Sequence, residues 1–461
     1  MAIDENKMVQ SIYDTLFNAY TKSPPGGLPA GSEADRMFIT LIPGGEPIDI
    51  SQYANPVSPL NPQGIPAATE NFSRLVDRLP LVKSAFVDSG KKISEVYKAI
   101  VEGANVTPQP ENPALKAAYN RAYDLLNDEG NDFDDMGQPI KVPVDSLLYA
   151  NYKRKQNAYA DAVAGFMAEA LKYDMSKPED QRAWAMVGPT QQRRLTTAWN
   201  DLQNAQAKKV EDAQATLAQS AENQVGRVFK DAQEKMVLLE KASARDMAEH
   251  YYASYAFPAN WYSSTAAQGW TTLGLSSHKH QLNQSSNYTS YGGGASFSLG
   301  LWSIGGGGSH SEEKHHMDSQ TEGLEVSFRY ARINIERPWM NPMIFDLPGW
   351  TYKPLGKGGI SSGNPARADG TLMTIVPTAF IAVRDLRITA RWSQQESNLI
   401  KQATSGSSRF GWGPFSVGGS YSSNSSEYHF KSEFDGRTLS APGLQIMAFI
   451  GTVIPLAPKE G

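Results

Sequence analysis

Apolar residues recur with a helical period through the first half of the chain and alternate through the second. Phe72, Leu75, Val76 and Leu79 share one face before Pro80, and Ile93, Val96, Tyr97 and Ile100 share another before Gly103. A third amphipathic run follows near Ala114–Leu126. Residues three and four apart stack on one side of an α-helix, so three modest helices are predicted from about Glu70 onward. A longer helix is expected to open at Pro143 and Asp145, with Leu148, Tyr152, Tyr159, Val163, Phe166, Ala170 and Tyr173 on one stripe. It should end near Asp174. Ser176 and Glu179 then read as a capping box, Gly188-Pro189 as a stop, and Thr190 as the cap of the next helix.

The stretch 190–249 is the most regular of all. Steps of three or four from Leu195 pass through Trp199, Leu202, Gln206, Val210, Ala213, Leu217, Ala221, Val225, Val228, Ala232, Met236, Leu239 and Ser243, and twelve of these fourteen positions are apolar. A mean step of about 3.7 residues belongs to a nearly straight helix. Such a rod would span roughly 80–90 Å, too long to bury its stripe alone. It is expected to pair with 145–187 as a long antiparallel hairpin, or with copies of itself. Upstream, Pro/Gly turn signals at Ser23-Pro-Pro-Gly-Gly and Pro43-Gly-Gly make 1–69 an irregular arm with at most one short strand, around Met37–Ile42.

Beyond residue 250 the period falls to two. Ala295, Phe297, Leu299 and Leu301 alternate with Ser and Gly, as do Leu324, Val326, Phe328 and Tyr330, then Ile333 and Ile335, and later Leu386, Ile388, Ala390 and Trp392. These are half-buried strands, and the slip at Ala331-Arg332 predicts a bulge there. A shift of 113 residues lays Trp302-Ser-Ile-Gly-Gly on Phe415-Ser-Val-Gly-Gly and His316-Met317 on His429-Phe430. Each match leads on to a Gly-Leu strand, at Gly323 and at Gly443. The fold class expected is therefore α+β in two parts: an irregular arm over 1–69, a helical domain over 70–250, and an antiparallel β-domain over 251–461. The last holds an internal duplication, about 270–340 and 383–455.

Composition sharpens this division. Seven of the nine Trp and six of the seven His lie beyond residue 250, with most of the Gly and Ser. The chain has 461 residues, a net charge of -5 and no cysteine, which excludes disulfide scaffolds and thiolate chemistry. The mild negative charge argues against nucleic acid as a partner. No apolar run is long enough for a transmembrane helix. The start, Met-Ala-Ile-Asp-Glu-Asn-Lys, lacks the regions of a cleavable signal peptide, so localisation stays open between extracellular by another route and cytoplasmic.

Candidate chemistry is sparse. The chain carries no phosphate-binding loop, nucleophile elbow, zinc-protease or dinucleotide motif, so no enzyme activity and no cofactor is expected. His278, His280, His315 and His316, with His310, Glu312 and Glu313, could hold a metal or sense pH, but the spacing fits no standard site and solvated loops are the expected reading. The acidic run Asp128–Asp135 lacks the ligand order of a calcium loop.

The Ser/Gly-rich tracts around the alternating strands suggest another use. A membrane strand needs about nine to eleven alternating residues with aromatic anchors at the interface. Phe297, Leu299, Leu301 and Trp302 offer this in the first copy, and Trp412 and Phe415 in the second, where Pro414 interrupts the pattern. In style, over about sixty residues and without a family motif, these hairpins resemble those of β-pore-forming toxins. The function expected is a self-assembling, membrane-acting protein with a homo-oligomer and membrane lipid as partners. The alternative is a structural or interaction protein binding a carbohydrate or protein through exposed aromatics such as Trp261, Tyr262, Trp339, Trp350 and Tyr352.

Overall fold

The computed structural model describes residues 5–21, 36–58, 61, 63–107, 113–133, 138–170, 172–173, 177–221, 225–243, 245–246, 248–263, 270–276, 300–305, 312–406, 408–423 and 426–459. It is a mixed α+β fold. The two larger sheets are built from β1 (Met37–Pro47), β2 (Thr271–Ser276), β3 (Trp302–Gly305), β4 (Glu312–His315), β5 (Glu322–Glu336), β6 (Ile375–Arg391), β7 (Arg409–Trp412), β8 (Phe415–Ser423), β9 (Ser426–Phe430), β10 (Thr438–Ala441) and β11 (Gln445–Val453). The long sheet runs β1-β11-β6-β5-β2, antiparallel throughout, with β10 added to β6 and Tyr255–Phe257 to β5. The small sheet runs β4-β3-β7-β8-β9.

β5 explains the slip in its own sequence. Leu324, Val326, Phe328 and Tyr330 face one apolar cluster, whereas Ala331, Ile333 and Ile335 face another on the opposite side of the sheet. Successive strand residues point to opposite faces, so a change in which face is covered inverts the apolar phase without any extra residue. Pairing with β6 is continuous from Arg329 to Asn334, and the expected bulge at Ala331-Arg332 is absent. A bulge sits in β6 instead, where the register shifts opposite Ser327–Arg329 and Asp385 takes φ +54°. The added residue moves the apolar parity from Ile381 and Val383 to Leu386 and Ile388, keeping all four in one cluster.

Among the described residues the α-helices are α1 (Glu5–Thr21), α2 (Pro66–Val76), α3 (Ile93–Gly103), α4 (Pro113–Leu126), α5 (Leu147–Ala170), α6 (Pro178–Asn204), α7 (Ala207–Ala221), α8 (Val225–Leu238) and α9 (Gln394–Ser405). The stretch 1–69 supplies β1, at the strand expected around Met37–Ile42, and also α1, a helix where an irregular arm was expected. Met8, Val9, Ile12, Tyr13 and Leu16 of α1 are fully buried, at a spacing that gives one helical face. The single rod expected over 190–249 is interrupted at Gln206. Gln206 adopts φ +60° between α6 and α7, and the last turn gives way to a short strand at Glu240–Ala242. Along the stripe Leu195, Leu202, Val210, Leu217, Val228 and Met236 are buried, whereas Trp199 is exposed.

Gly188-Pro189 does not stop a helix, because α6 continues through both. Gly188 serves packing: a Cβ there would lie 2.9 Å from the indole of Trp184. The N-cap of α6 is Lys177, with no side-chain bond, and Ser176 lies outside the described residues. α5 starts after Ser146, whose hydroxyl accepts from Tyr149 N–H at 3.2 Å, while Pro143 and Asp145 belong to the strand Pro139–Asp145. α5 and α6 run antiparallel, with Tyr159 5.2 Å from Trp199, Phe166 5.6 Å from Trp184 and Lys155 2.6 Å from Asp201.

Packing crosses residue 250. One cluster joins Tyr97, Tyr152, Val210 and Phe229 to Trp339, Phe345, Trp350 and Ile454. Trp261, Trp339, Trp350 and Tyr352, expected as exposed aromatics, are buried, and Tyr262 is partly so. Trp261 meets Phe380 edge-on at 5.1 Å, and Trp350 meets Phe229 at 4.9 Å.

Candidate functional site

Two features carry the functional reading, the small sheet and the face of α5 turned toward β5. Leu301, Trp302, Trp412 and Phe415 were expected to contact membrane or a partner, but each is at most 2% exposed. They line the inner face of the small sheet. Trp302 lies opposite Trp412 in register, Trp412 stacks on Phe415 at 6.3 Å, and Phe415 reaches Phe328 of β5 at 5.0 Å. Phe297 and Leu299 lie outside the described residues.

Sequence reasoning missed what fixes Trp302. Its indole N–H donates to Glu396 at 3.0 Å, and the Thr321 hydroxyl donates to the other carboxylate oxygen. Glu396 is held at the start of α9, where the Ser393 hydroxyl accepts from its N–H at 3.2 Å. Ser393-Gln-Gln-Glu396 is a capping-box spacing, so the signal was present. Burial pushes the Glu396 carboxyl above its ordinary range.

The glycines of this region also have a packing cause. A Cβ on Gly411 would meet the Cα of Gly44 at 2.6 Å as well as the Ser303 hydroxyl, and Gly44, at φ +71°, donates its N–H to the Gly413 carbonyl at 2.7 Å. Close approach between β1 and β7 requires both.

The two stretches matched at an offset of 113 residues occupy β3 and β8, which flank β7 on either side. β3 pairs with β4 and β8 with β9, each antiparallel.

The face of α5 toward the sheet is a polar ladder. Lys153 bonds Glu336 of β5 at 2.8 Å and Asp145 at 2.6 Å. One turn on, Asn157 accepts from Asn334 at 2.8 Å, and Asn334 in turn accepts from Arg332 at 3.0 Å. A further turn on, Asp161 lies within electrostatic reach of Arg332 and Tyr330. Four helical residues rise about 6 Å and two strand residues about 6.6 Å, which is why rungs recur at 153, 157 and 161 against 336, 334 and 332. Burial pushes the Asp161 carboxyl up to about 7, with Arg332 pulling the other way. Burial would lower the Lys153 ammonium, but Glu336 and Asp145 outweigh it and raise it. The opposite face of α5, with Tyr152, Tyr159 and Val163, joins the helical cluster. Polar residues on both α5 and β5 at matching spacings were the available signal.

The histidines are not gathered into a site. His278 and His280 lie outside the described residues. His315, on β4, is 3.8 Å from Glu313, and His316 is 3.2 Å from Glu5 of α1. Among the described residues no group of His, Asp and Glu could hold a metal, and no helix is long and apolar enough to cross a membrane. A polar cleft of two adjoining lobes, about 210 and 280 Å³, lies between α2, α3 and His250–Tyr252. Arg74 is tied to Glu70 and Glu249, Arg78 to Glu46, Lys92 to Glu95 and Lys98 to Glu240. With these charges spent on one another, the cleft reads as structural.

Comparison with protein families, curated proteins and solved structures returns no match for this chain.

Proposed function

We propose that the chain is a non-enzymatic, self-assembling protein that acts on membranes, and that this fold is its water-soluble form. The observation carrying the reading is the small sheet, which turns Leu301, Trp302, Phe410, Trp412, Phe415 and Phe430 onto the apolar face of the long sheet. Separation of the two sheets would offer an aromatic-rich β surface to lipid. β8 has nine residues, and β5 and β6 have fifteen and seventeen, lengths sufficient for membrane strands. The matching placement of β3–β4 and β8–β9 around β7 supports two copies of one hairpin unit, each able to unfold from the sandwich separately.

The test is dye release from phospholipid vesicles, zwitterionic and anionic, at neutral and acidic pH, with particle size followed by light scattering. Release accompanied by assembly supports the reading. A monodisperse monomer that releases nothing overturns it, and ordered filaments without release favour a structural protein.

A further inference from the structure

We propose that the face of the long sheet turned away from the small sheet carries a phosphate-binding site, built from Arg384 and Arg329 over Trp270 with Arg387 beside them. The site is distinct from the aromatic interface between the two sheets, and it does not depend on lipid being the target.

Arg384 is a buried cation that lacks an acceptor. It is 5% exposed, and its Cζ lies 4.3 Å from the centroid of the Trp270 ring. Among the described residues its guanidinium makes no hydrogen bond and no ion pair. Stacking on a ring covers a face of the guanidinium and leaves its in-plane N–H donors for an acceptor. A buried charge without one is costly. Burial pulls the Arg384 guanidinium below its ordinary value, Asp385 opposes the shift and Arg329 adds to it.

The neighbouring charges make the arrangement more costly still. Arg329 of β5 stands directly opposite Arg384 of β6, and its Cζ is 5.9 Å from the same ring. Like charges directly opposite destabilise a sheet, and an anion between them reverses the sign. The bulge at Asp385 brings in a third guanidinium. Val383, Leu386 and Ile388 all point into the core, so Arg384 and Arg387 share the other face although they are three residues apart. Arg387 is exposed and, among the described residues, also unpaired.

The carboxylates nearby do not neutralise the cluster. Asp385 reaches Arg329 at 3.4 Å with both side chains partly in solvent, and Glu322 is bonded to Arg391 at 2.8 Å. Glu325 is exposed and lies opposite Thr389. On β2, Thr272 and Gly274 stand opposite Arg329 and Ser327, and a Cβ on Gly274 would meet nothing within 4 Å. Open space therefore adjoins the guanidiniums. Converging forks of this kind suit the three oxygens and nearly double charge of a phosphate monoester.

The test is isothermal titration of the full chain with inorganic phosphate at low ionic strength, beside thermal melts with and without it. One phosphate per chain and a raised melting temperature are expected. R384M keeps an unbranched chain against Trp270 and removes the charge, and R329M does the same at the facing position. Each should weaken binding about tenfold or more. R384K should weaken it too, since an ammonium has no fork, whereas R193M, at an exposed arginine of α6, should leave it unchanged. No heat and no shift in melting at millimolar phosphate, or binding that survives R384M and R329M, would overturn the proposal. Should R384M fail to fold, R329M, at a partly exposed position, decides alone. Flotation with phosphatidylcholine vesicles, with and without phosphatidic acid, identifies the source. Capture that needs phosphatidic acid and is lost in R329M assigns a lipid headgroup, and phosphate binding without capture assigns a free phosphate compound. Either result supports the site, and only the first bears on the membrane reading.

Discussion

Gln445 holds both backbone groups of Ser416. The Ser416 N–H donates to its side-chain carbonyl at 2.6 Å and its amide donates to the Ser416 carbonyl at 3.1 Å. Both residues are fully buried, so one side chain of the long sheet replaces a ladder pair for β8. Gln445→Leu removes both partners and leaves a buried N–H and C=O unmatched, each worth about 1–3 kcal/mol. A loss of roughly 2–4 kcal/mol is expected in urea unfolding. A change below about 0.5 kcal/mol would mean that β8 finds other partners.

Gly411 and Gly274 should respond oppositely to alanine. Gly411→Ala drives a methyl against Gly44 and Ser303, and a loss of about 2 kcal/mol or more is expected. A Cβ on Gly274 meets nothing within 4 Å, so Gly274→Ala is expected to be neutral or to stabilise by up to about 1 kcal/mol through the unfolded chain. Thermal melts of the pair check this directly.

Gln206 occupies a left-handed conformation that costs a side-chain-bearing residue about 1 kcal/mol more than glycine. Gln206→Gly should therefore raise stability by a few tenths to about 1 kcal/mol despite its poor helix propensity. A substantial loss instead would show that the α6–α7 break is not fixed as described.

Glu396 gives a pH test. Its carboxyl is raised by burial, so the folded state keeps a proton that the unfolded chain has lost. Stability is fullest below the ordinary Glu range and falls as pH rises through the raised value. Glu396→Gln should flatten that slope while retaining an acceptor for Trp302. Glu396→Leu should cost roughly 2–4 kcal/mol at all pH values by stranding the indole N–H and the Thr321 hydroxyl. The readout is unfolding free energy from pH 4 to 8.

How far these features were legible depends on the kind of signal each left. α3 was read from Ile93 to Gly103 because one apolar face and a terminal glycine say the same thing. The burial stripe from Leu195 to Met236 was equally clear, yet Gln206 carries no turn chemistry, so the break was invisible. Gly188-Pro189 misled because a glycine beneath Trp184 and a glycine ending a helix look alike in sequence. Trp302 and Phe415 show a further limit: alternation marks an apolar face but not what covers it, and here another sheet does. The ladder was passed over because polar residues on a helix ordinarily face water, whereas Asn157 faces Asn334.

The order of charge along that ladder makes it a keyed joint. Lys153 meets an acid at one end, Asp161 lies near a base at the other, and a neutral amide pair stands between. Sliding α5 by one rung in either direction breaks both charged matches at once. Reversing the helix sets Lys153 against Arg332 and Asp161 against Glu336. α5 therefore has one alignment on β5 that satisfies all three rungs, and the charge order alone selects it over its neighbours.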